Sequence, residues 1–301
     1  MVYETFRAGA VNRARAVEVS AAGKAVNVGL ALAILGDRAV VTGFNGGATG
    51  RIVADELRRH GVETAFTRMD APTRTCTTAI DLSMGGEATE LVEESPKPDA
   101  AGWRRFAAAN MRAMADCRLV AISGTLPPGA PDDLYAQFAR AAEERGIPLV
   151  IDSHKGGMLA VLKYHPLVAK MNLHELRLTF GDECGDEAST LASAAKLTAA
   201  GATWALITNG ADPGWLLGAD GSAWRIVPPC LDEVVNPIGS GDSVTAGLVS
   251  AWVGGHSMED AARYGAACGT ANAVNLRPAD FTMPQVRKFV RRTRVEKLCR
   301  R

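Results

Sequence analysis

Apolar positions recur at helical spacing from Ala25 to Leu35 and stop at Gly36, predicting an amphipathic helix with a glycine end. Arg38 to Phe44 is a short β-rich run, and Gly50 to Arg59 is helical again, stopping at Gly61. There the alternation breaks. Val62 to Met69, Thr73 to Leu82 and Ala88 to Glu93 predict consecutive strands, with a hairpin signal at Gly85-Gly86. Alternation resumes with a helix over Ala100 to Ala115, a strand over Leu119 to Ser123 and a helix over Pro131 to Arg145. A strand over Leu149 to Asp152, a helix over Gly156 to Tyr164 and a strand over Val168 to Asn172 follow. The rest predicts a helix over Asp186 to Ala200, a strand at Ala205 to Thr208, a hairpin over Trp215 to Val227, and helices from Asp242, Met258 and Pro284.

Repeated strand–helix units predict an α/β fold in three layers, with a mostly parallel sheet between helices. The β-only stretches Ala14 to Val19 and Thr73 to Glu93 predict a second, small sheet acting as a lid. The expected organisation is one domain over residues 1–301, with lid strands from about 3–20 and 62–95 inserted in the α/β core. The chain shows no internal repeat, low-complexity tract or flexible linker.

Composition narrows the function. Of 301 residues 47% are hydrophobic, enough for a substantial core. Lys+Arg and Asp+Glu number 33 each, so no global basic field draws the chain to nucleic acid or membrane. The local exception, Arg287 to Arg301, predicts a basic amphipathic helix with a solvated charged face. Cys76, Cys117, Cys184, Cys230, Cys268 and Cys299 form no C-x-x-C pair and have no His cluster beside them, which argues against zinc and against a disulfide framework. Met1 to Arg15 lacks the apolar centre of a signal peptide, and no run of 18 apolar residues occurs; a cytoplasmic protein is expected.

The candidate chemistry lies in Asn236 to Ser243. Gly239 and Gly241 around Ser240 permit a tight turn with bare amides, and the helix that follows adds its positive dipole end. Asp242 in the first helical turn suits a base that takes the proton of an attacking hydroxyl beside a phosphate cradle. The same residues also fit an ordinary glycine loop whose Asp caps a helix, because such loops are weak motifs.

Further motifs stand in a fixed order around this one. They are Gly9-Ala10-Val11-Asn12-Arg13 with Gly23-Lys24-Ala25-Val26-Asn27, Thr73-Arg74, Ser123-Gly124-Thr125-Leu126-Pro127-Pro128-Gly129, and Lys170-Met171-Asn172-Leu173-His174-Glu175. With Gly239-Ser240-Gly241-Asp242 they resemble the ribokinase/PfkB family, most of all its hexose-phosphate branch of 1-phosphofructokinase and tagatose-6-phosphate kinase. The resemblance runs from about residue 5 to 280 and implies a ribokinase-like fold and an ATP- and Mg²⁺-dependent sugar-phosphate kinase. It implies Asp242 as catalytic base, with the Gly239, Ser240, Gly241 and Asp242 amides as anion hole. Asn172 and Glu175 would organise Mg²⁺ through its waters, in keeping with the ion's reluctance to dehydrate. Lys170, Asn172, Thr208, Gly210 and Asn275 would meet the nucleotide. Gly23, Lys24 and Asn27 would meet the sugar phosphate, and Arg74 would clamp its phosphate with a planar fork. Arg13 is a further phosphate candidate across a dimer, and an isologous homodimer through the lid is expected.

Relatives begin with a core strand ending in Asn-Pro-x-x-Asp, whose Asp meets sugar hydroxyls; Met1 to Phe6 falls after that point, and Glu4 is no obvious replacement. Either the start is set too late, or a sugar ligand and a sheet strand are lost and the neighbouring strands lack backbone partners. Ala22 and Ala25 replace glycines flanking Gly23-Lys24, which narrows the sugar pocket, and the loop Gly210 to Gly214 is one residue longer than usual. Two other functions stay open: a non-catalytic sugar-phosphate or nucleotide sensor, and a kinase of an unphosphorylated sugar or nucleoside.

Overall fold

The computed structural model describes residues 1–85 and 87–298. In chain order the elements begin with β1 (Val2–Tyr3), α1 (Lys24–Leu35), β2 (Val40–Gly46), α2 (Gly47–Arg59), β3 (Glu63–Met69), β4 (Cys76–Asp81), β5 (Glu87–Val92) and α3 (Ala100–Ala113). The middle comprises β6 (Val120–Ser123), α4 (Leu134–Glu144), β7 (Leu149–Asp152), α5 (Lys155–Leu162), β8 (Val168–Asn172), α6 (Leu173–Phe180) and α7 (Glu187–Ala199). The chain continues with β9 (Trp204–Asn209), β10 (Asp212–Gly218), β11 (Ala223–Val227), α8 (Ser240–Val253), α9 (Met258–Ala273), α10 (Met283–Arg292) and β12 (Arg294–Lys297).

The large sheet has seven strands in the order β12-β11-β10-β9-β8-β7-β6. It is parallel from β6 to β9, where helices make the crossovers, and antiparallel from β9 to β12. Successive side chains point to opposite faces, so each buried strand feeds two cores. Leu149, Ile151, Ala169, Met171 and Ile207 pack with α3 to α7. Val150, Val168, Leu206 and Leu216 pack on the other side with α8 and α9. That is the three-layer α/β/α arrangement. Glycines let α8 and α9 meet at backbone distance: a Cβ on Gly265 would stand 2.6 Å from the Val244 carbonyl oxygen.

A separate pair, β2 and β3, is parallel, and a small sheet has the order β1-β4-β5. Thus β3, which the sequence pattern grouped with the lid run beginning near residue 62, belongs with β2 beneath α2 and α3. The Ala14 to Val19 strand is replaced by loop with a single bridge from Ala16 to Val2, and the two-residue β1 takes the place beside β4. Polar spacing also misled at the C-terminus. The basic helix ends at Arg292, Thr293 leaves helical geometry, and Arg294–Lys297 runs as an edge strand on β11. Gly86 of the hairpin signal and the stretch from Cys299 to Arg301 lie outside the described residues.

Among the described residues β2 has only β3 as a hydrogen-bonded neighbour, and β6 only β7. One cavity touches every residue from Thr42 to Gly46 and from Val120 to Ser123. A space reached by consecutive strand residues lies beside the strand edge, not over one face. The sheet is therefore interrupted between β2 and β6, with α1 packed against both. The Trp103 Nε1 and Ser123 Oγ on its wall are buried without a hydrogen-bond partner among the described residues. Among the described residues no helix is long and apolar enough to cross a membrane.

Candidate active site

The carboxyl ends of β2, β6, β7 and β8 and the N-termini of α1 and α8 open on this same cavity, of about 1290 Å³. Parallel strands deliver their last residues there, as open α/β sheets do. The turn into α8 is held from below. Gly239 is the N-cap with φ 81°, and a Cβ on it would come within 2.8 Å of Pro278 Cβ, so only glycine fits. The buried Asn272 donates Nδ2 to Ile238 O (2.9 Å) and to Ser240 Oγ (3.1 Å), and its Oδ1 accepts from Ala279 N (2.7 Å). Asn236 Oδ1 accepts from Ile238 N at 3.0 Å. The Ser240 amide donates to Pro237 O at 3.1 Å, so it is spent inside the turn. This corrects the expectation that every amide from Gly239 to Asp242 faces a ligand: in the first turn of α8, those of Gly241 and Asp242 remain without a partner.

Asp242 is 6% exposed, and its Oδ2 accepts from Asn27 Nδ2 at 2.7 Å. Burial pushes its carboxyl up to about 6; the Asn27 bond opposes this and the nearby Asp152 charge adds to it. Lys170, at the end of β8, is buried, and its Nζ lies 3.5 Å from where a Cβ on Gly241 would stand. It donates to Asp152 Oδ2 at 2.7 Å, and Thr245 Oγ1 donates to the same oxygen at 2.9 Å. Desolvation works to raise the Asp152 carboxyl, but Lys170 and Lys24 outweigh it and hold the group below the usual carboxylate range.

Asn172 and Glu175 form a reciprocal capping box on α6: Asn172 Oδ1 accepts from Glu175 N (2.8 Å) and Glu175 Oε2 from Asn172 N (2.9 Å). The cap orients the pair and leaves Glu175 Oε1 for other partners. Lys24 Nζ takes it at 3.2 Å and stands 3.7 Å from Asp152 Oδ1. Burial acts to lower the Lys24 ammonium, but the two carboxylates raise it overall. Among the described residues no group of three or more His, Cys, Asp or Glu forms a ligand set. Glu175 Oε1, left outside the cap that Asn172 makes with the other oxygen, fits a hydrated divalent ion that also takes phosphate oxygens, not a full protein cage.

Gly23, Asn27, Arg74 and Thr208 also line the cavity, and Arg74 is exposed with no ion pair among the described residues. Ser240, Gly210, Asn275 and Arg13 are not on the cavity wall. Gly210 sits at φ 59° in the turn between β9 and β10, and the extra residue there is absorbed as a register shift between Asp212 and Trp215. Asn275 turns its amide to Ala271 O at 2.7 Å and lies against Gln285. Asp152, Thr245 and Asn272 were not foreseen. Asp152 closes a predicted strand at the same end as Lys170, which was the one signal that could have found it.

A family model described as pfkB family carbohydrate kinase matches residues 1–279. The chain belongs to the pfkB carbohydrate kinase family. Among solved structures it is similar to a candidate phosphofructokinase of Staphylococcus aureus, with 28% identity and TM-score 0.79 over 99% of this chain and 94% of that one. A candidate 1-phosphofructokinase of Thermotoga maritima superposes at TM-score 0.90 with 22% identity, over 99% and 95%. Phosphofructokinase-2 of Escherichia coli, in complex with substrates and products, gives TM-score 0.88 with 22% identity, over 96% and 94%. At 22% the likeness establishes the fold, which is that of a ribokinase-like pfkB kinase.

Proposed function

We propose that this pfkB-family protein transfers the γ-phosphate of ATP to a hydroxyl of a phosphorylated ketohexose, as 1-phosphofructokinase or tagatose-6-phosphate kinase does. The observation that carries it is Asp242, a buried carboxylate with a raised pKa on the turn that offers the free Gly241 and Asp242 amides, with Lys170 beside them. Asp242 accepts the proton of the acceptor hydroxyl; the oxygen bonds to the γ-phosphorus as the β–γ bridging P–O bond breaks and ADP leaves. The amides and Lys170 stabilise the charge on the transferring group. Asn27 fixes the carboxylate toward the acceptor. Glu175, oriented by Asn172, would hold hydrated Mg²⁺, which would neutralise charge on the phosphates. Arg74, without an ion pair among the described residues and lining the same cavity as Lys24, supports an acceptor that already carries a phosphate.

The β1-β4-β5 sheet serves as the lid. Thr78, Ile80 and Val92 face the cavity, and Glu18 and Arg277 on its lining are paired at 2.6 Å. Exposed Val17, Val19 and Leu91 on this part support its use as an isologous homodimer surface. A coupled ADP-release assay with MgATP tests the reading on fructose 1-phosphate, fructose 6-phosphate, tagatose 6-phosphate and the free sugars. Turnover of a ketohexose phosphate in preference to the free sugars is expected. Nucleotide and sugar-phosphate binding with no turnover would favour a sensor, and turnover of free sugars alone would remove the acceptor assignment.

A further inference from the structure

The active-site floor holds more charge than the proton transfer needs. Three carboxylates, Asp152, Asp242 and Glu175, face two ammonium groups, Lys24 and Lys170. Asp152 lies at their centre. It is 1% exposed, at the end of β7, with Lys170 of β8 as one register partner and Ser123 of β6 as the other. Its Oδ2 takes Lys170 and Thr245, while its Oδ1 is buried with no hydrogen bond, 3.7 Å from Lys24 Nζ. A carboxylate kept only for stability would have both oxygens satisfied.

We propose that Asp152 is the positioning residue of this site, holding Lys24, Lys170 and the first turns of α8 in one arrangement and keeping Asp242 a working base. The inference rests on the phosphotransfer reading of Asp242. Three elements meet at this one carboxylate: α1 brings Lys24, β8 brings Lys170, and α8 brings Thr245. Thr245 is three residues after Asp242 on the same helix face, so its bond to Asp152 pins the turn that carries the base. The charges facing Asp242 are Asp152 from β7, Lys170 from β8 and Lys24 from α1, with Asn27 as its neutral partner. Those facing Asp152 are the same two lysines and, from α4, Tyr135. Its hydroxyl donates to Gly124 O, and burial with the Asp152 charge pushes it up to about 12. His154 is further out, 3.8 Å from Glu175. Without the Asp152 charge, Lys170 would act on Asp242 unopposed and Lys24 with only Glu175 against it, making Asp242 a weaker base.

The test compares Asp152→Asn, Asp152→Glu and Thr245→Val by melting temperature and by the pH dependence of kcat/KM. The assay uses MgATP and whichever ketohexose phosphate the wild type turns over. In Asp152→Asn, kcat/KM is expected to fall by about tenfold to a hundredfold, as small misplacements of reacting groups do. Its acid limb should move to lower pH, whereas Asp152→Glu, which keeps the charge, should retain the wild-type limb. Thr245→Val should lower kcat with the limb in place. An acid limb unmoved in Asp152→Asn overturns the proposal, whatever happens to its melting temperature. Should Asp152→Asn not fold, wild-type kcat in Thr245→Val overturns the pinning role. Turnover within tenfold of wild type in Asp242→Asn would instead remove the reading beneath the proposal.

Discussion

Replacing Asp242 with Asn should make the protein nearly inactive and more stable, and the gain in stability should depend on pH. The carboxyl titrates near 6 in the fold against 3.8 for the free group, with desolvation the leading cause. A raised carboxyl contributes stability that is fully present below 3.8 and lost as pH rises through 6. Above pH 6 the folded wild type therefore carries a buried charge costing up to about 3 kcal/mol, at 1.36 kcal/mol per tenfold change. Asn keeps the shape and can still accept from Asn27 Nδ2. At pH 7.5 the variant should melt several degrees higher, at roughly 2 °C per kcal/mol for a chain of this length. Near pH 4 the difference should close. Turnover should fall by about 10²- to 10⁴-fold, the usual share of a general base. Melting curves from pH 4.5 to 8 on both proteins, with ADP release on the same samples, test both halves. Turnover within tenfold of wild type, or a melting difference that does not vary with pH, would refute the reasoning.

Wild-type kcat/KM should rise with pH through about 6 as Asp242 ionises, and a profile flat from pH 5 to 7 would contradict that role. Arg74→Ala should raise KM for the sugar phosphate about tenfold or more while KM for ATP stays near wild type, as steady-state kinetics would show. Glu175→Gln keeps an oxygen for the α6 cap but loses the charge, so melting should change little while the Mg²⁺ concentration needed for half-maximal rate rises. Gly239→Ala must force a Cβ against Pro278 at positive φ, and should cost about 1–2 kcal/mol or more of stability in denaturant titration along with most activity.

The parts of this fold that could be read in the sequence are those where local pattern and burial agree. Leu149–Asp152 and Val168–Asn172 are short apolar runs buried on both faces, and the predicted bounds match the strands. Arg294–Lys297 did not read as a strand because it sits at a sheet edge with polar residues outward, so its spacing continued that of α10. Glu63–Met69 carries no mark to distinguish lid from core, since its parallel pairing with β2 is decided by residues over 20 positions away. The motif residues Asp242, Lys24, Asn172 and Glu175 were legible because each sits in a recognisable run. Asp152, Thr245 and Asn272 sit in no such run; their roles come from contacts across 93 positions, as between Thr245 and Asp152, that only the folded chain creates. Helix α6 is hard to read because it is only eight residues long, and its capping box, Asn172 with Glu175, fits a metal pair as well as a helix start.

The central claim is phosphoryl transfer onto a phosphorylated ketose, and ³¹P NMR of the reaction tests it most directly. With MgATP and a ketohexose phosphate, the account predicts decay of the ATP γ-phosphate signal. A second sugar phosphomonoester should grow in equal proportion to ADP, and Asp242→Asn should show neither. ATP unchanged with every ketohexose phosphate, or released phosphate appearing only as the free inorganic ion, would contradict it.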